Sequence, residues 1–93
     1  MNVIDTYKLT FTENEVRFLL DYTESVYQLL EKHGVCLNYR NRAKFYKSSL
    51  NFFIDFKKEE FPFTEINEVD YEIAKEAKLN ELENLIKNTQ RKE

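Results

Sequence analysis

The chain has 93 residues, 42% of them hydrophobic and 33% charged, with a formal net charge of -3. That composition excludes a disordered chain and describes one domain with a single, modest core; no apolar run approaches the roughly 18–20 residues of a membrane span. The lone cysteine, Cys36, excludes an internal disulfide framework and suits a reducing cytoplasm.

The opening MNVIDTYKL has neither a basic nor an extended apolar region and reads without a signal peptide. Phe, Tyr, Ile, Asn and Lys supply 38 residues, whereas Gly, Ala, Arg and Pro supply 9. This is the bias of AT-rich codons, and with the small size it points to a phage or mobile-element origin. Charge is segregated: residues 1–31 and 59–83 are acidic, residues 32–58 carry seven Lys and Arg against Asp55 alone, and the last ten residues are weakly basic.

Residues 6–12, TYKLTFT, alternate apolar and polar with strand-favouring types. They read as a short strand or extended arm, to be paired with residues 35–37, with residues 61–63, or with a second copy. Thr12 and Glu15 then fit a capping box, and a helix follows over 13–33. Val16, Leu19, Leu20, Thr23, Val26, Tyr27 and Leu30 share one face, with Phe18, Tyr22, Leu29 and His33 beside it. Gly34, the sole glycine, falls where a left-handed residue ends a helix.

A second helix is predicted over 39–58. It is apolar on two sides: Tyr39, Ala43, Tyr46, Leu50, Phe53 and Ile54 on one, Phe45, Ser49, Phe52 and Phe56 on the other. A helix apolar on two sides is expected between two neighbours, here the first and third helices. Pro62 breaks the pattern, Thr64 or Asn67 caps a third helix over 65–88, and Ile66, Val69, Ile73 and Ala77 form its first apolar stripe. The stripe changes phase towards Leu79, Leu82, Leu85 and Ile86, which implies a bend or a change of neighbours near Lys78. The fold class is therefore mostly α: a short N-terminal strand or extended arm followed by a compact three-helix antiparallel bundle, one domain over 1–93.

Catalytic chemistry is not legible. One histidine and one cysteine cannot make a metal site, no glycine-rich phosphate loop is present, and acid pairs such as Glu13/Glu15 and Glu81/Glu83 read as solvated helix faces. The expectation is a protein without enzymatic activity, cofactor or metal.

The informative stretch is LNYRNRAKFYKSSLNFF, residues 37–53, which holds four basic residues, five aromatics and no acid. Arg40, Arg42 and Lys44 fall in the first turns of their helix, whose end is already positive, so something negative should compensate them. Acids on neighbouring helices are one candidate. An acidic protein partner is a second, because Arg and Tyr are favoured at binding hot spots; its contact set would be Tyr39, Arg40, Arg42, Lys44, Phe45, Lys47, Phe52 and Phe56. Nucleic acid is the third, with phosphates on the bases and stacking on the rings.

For that third candidate, a strand followed by two helices over residues 6–56 resembles the ribbon-helix-helix repressors. The resemblance implies a dimer whose paired strands enter the major groove. The first helix is longer than that pattern prefers, and Lys8 is the only base on the ribbon. The favoured reading is a small cytoplasmic protein-interaction module of the adaptor or inhibitor type, with a protein partner, self-association as a homodimer in the same class, and no membrane contact. The alternative is a dimeric DNA-binding regulator.

Overall fold

Thr12 starts the first helix as the sequence predicts. Its hydroxyl accepts from the Glu15 N–H at 3.2 Å, and the Glu15 carboxylate accepts from the Thr12 N–H at 2.9 Å, which closes the capping box. The computed structural model describes residues 10–91. Three helices account for most of them: α1 (Glu13–Lys32), α2 (Tyr39–Glu60) and α3 (Glu68–Arg91). No strand occurs among the described residues. The expected strand at 6–12 lies largely outside them, and residues 35–37 and 61–63, its proposed partners, are irregular.

Gly34 ends α1 with φ at +82°. The Gly34 N–H donates to the Glu31 carbonyl at 3.0 Å and the Val35 N–H to the Leu30 carbonyl at 2.9 Å, the paired bonds of a Schellman motif. Asn38 caps α2 by accepting from the Asn41 N–H at 2.8 Å. Of the two caps considered for α3, Asn67 is the one used: its side chain accepts from the Asp70 N–H at 2.8 Å.

The helices run up, down, up and form a compact bundle. Glu15 meets Lys57 while Tyr27 meets Arg42, so α1 and α2 are antiparallel. Asp21 meets Tyr71 while Lys32 meets Glu83, so α1 and α3 are parallel. The central helix is α1, not α2 as expected: α1 packs on both neighbours, whereas no Cα of α2 lies within 8 Å of a Cα of α3. The two apolar sides of α2 have a different cause. On one side Phe53 is buried in the core; on the other Ser49 is buried and Phe45, Phe52 and Phe56 are half-buried, Phe52 lying between Tyr22 of α1 and Lys78 of α3.

The core is Leu19, Tyr22, Val26 and Leu30 of α1, Phe53 of α2, Ile66 of the second connection, and Tyr71 of α3. Buried hydroxyls bond within their own helices, Thr23 to the Leu19 carbonyl at 2.9 Å and Ser49 to that of Phe45 at 2.8 Å. In α3 the expected stripe is corrected: Val69 and Ile73 face solvent, Ile73 at 62% exposure, while Tyr71 is buried. Tyr71 wins because Phe18 stacks on its ring at 4.5 Å and Asp21 accepts its hydroxyl at 2.7 Å. The later residues Leu79, Leu82 and Ile86 pack against the core.

Candidate partner-binding surface

The structure divides the predicted contact set into two groups. Tyr39, Arg40, Arg42, Lys44 and Lys47 are exposed, Tyr39 at 90%. Phe45, Phe52 and Phe56 are half-buried and packed against the core. Phe52 lies 5.1 Å from Tyr22 and 6.1 Å from Phe56, ring centre to ring centre, and Phe56 lies 5.6 Å from Phe61. The three phenylalanines therefore anchor α2 and leave only part of each ring for a ligand.

Arg42 is a structural residue within the exposed group. Its Nε donates to the Leu37 carbonyl at 3.0 Å, its guanidinium sits 5.4 Å from the centre of the Tyr27 ring, and the Tyr27 hydroxyl donates to its carbonyl at 2.9 Å. It fixes the angle at which the chain enters α2. The other bases are engaged differently. Among the described residues, no ion pair involves Arg40, Lys44 or Lys47. Two acids of the neighbouring helices are paired elsewhere: Asp21 binds Lys75 at 2.8 Å, and Glu83 binds His33 at 3.0 Å and Lys32 at 3.5 Å. Among the described residues, no carboxylate of an adjacent helix lies in ion-pair range of Arg40, Lys44 or Lys47.

These pairs also set the electrostatics of the α1–α3 seam. The Lys75 ammonium and the Tyr71 hydroxyl hold the Asp21 carboxyl below its usual range. Hydrogen bonding from His33, with Lys32 nearby, lowers Glu83. His33 is accordingly tied to the end of α1 and to Glu83, while Cys36 is an exposed thiol.

Sequence reasoning missed one constellation altogether. Glu15, read as part of a solvated face, is 0% exposed. Its Oε2 accepts from Lys57 Nζ at 2.6 Å and from the Ile66 N–H at 2.8 Å, and Lys57 Nζ also donates to the Thr64 carbonyl at 2.7 Å. Burial alone would raise the Glu15 carboxyl, but the bonds from Lys57, Ile66 and Thr12 and the Lys57 charge outweigh it, so the group is lowered and stays ionised. With both carboxylate oxygens held by fixed donors, this is a pin that joins α1, α2 and the second connection. Among the described residues, no group of three or more His, Cys, Asp or Glu is placed to hold a metal ion, and no helix is long and apolar enough to cross a membrane.

What distinguishes the first half of α2 is its outer strip. Arg40, Lys44 and Lys47 stand three or four residues apart, one above the other on the helix surface, with the exposed Tyr39 and Tyr46 along one edge. Such a strip can hold carboxylates or phosphates in register with helical repeats, and its tyrosines can cover apolar surface. No family model matches the chain, and no curated protein or solved structure matches it.

Proposed function

We propose that this chain is a non-catalytic protein-interaction module that binds an acidic surface of another protein through the first half of α2. Carrying the proposal is the charge of Arg40, Lys44 and Lys47 on the first half of α2, Arg40 in its positive first turn, without a carboxylate in salt-bridge range among the described residues. An acidic partner relieves that excess. Tyr39 and Tyr46 supply rigid apolar area beside the charges, the combination that concentrates binding energy at interfaces. The action is occlusion or tethering, as in an adaptor or inhibitor. The exposed Cys36 thiol supports a reducing, cytoplasmic setting.

The test compares the wild-type chain with a Tyr39→Ala, Arg40→Gln, Lys47→Gln variant. Each is used as bait in an extract of its host and each is titrated with duplex DNA over a range of salt. The proposal expects a specific protein captured by the wild type and lost by the variant. Tight DNA binding that weakens steeply with salt would instead support the nucleic-acid reading.

A further inference from the structure

Opposite α1, the separation of α2 and α3 leaves a groove along one side of the bundle. Phe45, Phe52 and Phe56 lie along its α2 wall, at spacings that keep them on one face. At the Phe45 end the groove opens into an apolar recess of about 230 Å³, walled by Leu30, Val35, Leu82, Leu85 and Ile86. Val35 and Leu30 are the two residues that the Schellman motif at Gly34 joins, so the end of α1 builds the floor of this recess. At the Phe56 end a second recess, of about 410 Å³, is edged by Ser48, Asp55, Glu59, Glu60 and Lys78. Leu85, at 58% exposure, presents an apolar side chain to solvent on the α3 wall.

The α2 rim of this groove is graded in charge. Lys44 stands at one end, with Nζ 5.5 Å from the centre of the Phe45 ring. Ser48 follows one turn on, and Asp55 and Glu59 close the other end. From Phe45 to Glu59 the helix rises about 21 Å, or four turns. The middle is close to neutral, because Lys78, over the Phe52 ring at 5.3 Å, has Glu81 at 3.5 Å.

A rim that is positive at one end, negative at the other and neutral between is complementary to itself after a half-turn about its midpoint. That is the requirement of an isologous contact, in which one patch meets its own copy across a two-fold axis. A membrane or nucleic-acid backbone, uniformly charged, would be repelled by one end of the rim. We infer that the α2/α3 groove is a homodimer interface, in which Lys44 of one protomer faces Asp55 and Glu59 of its partner and the Phe52 rings lie near the axis. The two α2/α3 pairs then form a four-helix layer with the α1 helices outside. Arg40 and Lys47 lie about 40–60° around α2 from Lys44, on the side away from Ser48, Asp55 and Glu59.

The experiment is sedimentation velocity on four forms of the full chain: wild type, Lys44→Glu, Asp55→Lys/Glu59→Lys, and all three changes combined. Lys44, Asp55 and Glu59 are exposed, so the variants should fold, and circular dichroism melting checks that they do. A groove four turns long places the contact at the small end of stable interfaces, with wild-type dimers expected at tens of micromolar, about 10–100 μM. Each charge-reversed variant should associate about tenfold more weakly, or worse, because like charges then meet across the axis. The combined variant should dimerise as the wild type does, since both ends are reversed together. A wild type that stays monomeric at about 100 μM overturns the inference, as does a dimer unaffected by either reversal or not restored by the combination. Because the readout is self-association of the chain with no other protein present, failure here is separable from failure of the partner-binding reading.

Discussion

Lys57 Nζ lies 2.6 Å from Glu15 Oε2, and the two residues are 6% and 0% exposed. The pair joins the start of α1 to the end of α2 across 42 residues of sequence. It also orders the second connection, since Glu15 holds the Ile66 N–H and Lys57 holds the Thr64 carbonyl. Ile66 is thereby set into the core just ahead of α3, and the direction of α3 relative to α1 depends on that placement. A buried ion pair is not in itself a source of stability, because desolvation offsets much of the Coulomb gain. A misregistered packing of α1 on α2 that separated the two residues would bury a charge alone, which is costly.

Removing one member should therefore be costly. Lys57→Met leaves the Glu15 carboxylate enclosed without its cation and frees the Thr64 carbonyl. The expected loss is about 3–5 kcal/mol, read as a lower midpoint in urea denaturation. A loss below about 1 kcal/mol would mean that water reaches the carboxylate readily and that the pin is not sealed.

Acid should weaken the fold through the same group. The Glu15 carboxyl has an ordinary value of 4.5 and is lowered in the folded chain. Its contribution is complete above about pH 4.5 and is lost as pH falls below that value and through the lowered folded one, since the unfolded chain then binds more protons. Asp21, lowered from 3.8, adds a loss of the same sign further down. Unfolding free energy should fall with pH in this range, and Glu15→Gln, though less stable overall, should show a shallower fall. Equal slopes for the two proteins would remove Glu15 from the account.

Legibility in the sequence followed the range of the interaction. The Thr12–Glu15 box, the Gly34 stop and the Asn67 cap each depend on residues within five positions of one another; the first two are where the pattern placed them, and the third is one of the two caps it offered. The Glu15–Lys57 pair depends on two helices meeting, and its only local trace is weak: an acid at the head of the stripe Leu19, Tyr22, Val26, Leu30, and a base at the tail of the stripe Ser49, Phe53. In α3 apolar residues lie on more than one face, and periodicity cannot choose between them. Phe18 and Asp21 make the choice by receiving Tyr71, so Ile73 is left outside. Of the candidate surface, the exposed bases were legible from composition and spacing. The groove was not, because it exists only through the distance between α2 and α3.

Gly34 offers a test free of packing effects. Its φ is +82°, and a Cβ built there meets nothing within 4 Å. Gly34→Ala should cost about 1 kcal/mol, from backbone conformation alone. An unchanged or raised midpoint in chemical denaturation would show that the α1 terminus relaxes without penalty.

Arg42 and its neighbours should separate cleanly in a stability measurement. Arg42→Gln removes the bond from Nε to the Leu37 carbonyl and the stacking of the guanidinium on Tyr27. A hydrogen bond of this kind contributes about 0.5–1.5 kcal/mol and an exposed cation–ring contact about 0.5–1 kcal/mol, so a loss of about 1–2 kcal/mol is expected. Arg40→Gln and Lys47→Gln remove no ion pair seen among the described residues, and Arg40→Gln takes a positive charge away from the positive first turn of α2. They should leave stability unchanged or raise it by a few tenths, about 0.3 kcal/mol. Thermal melts of the three single variants at low salt make the comparison. If Arg40→Gln or Lys47→Gln destabilises as much as Arg42→Gln, those bases are compensated within the fold, and the excess charge that supports partner binding is not there.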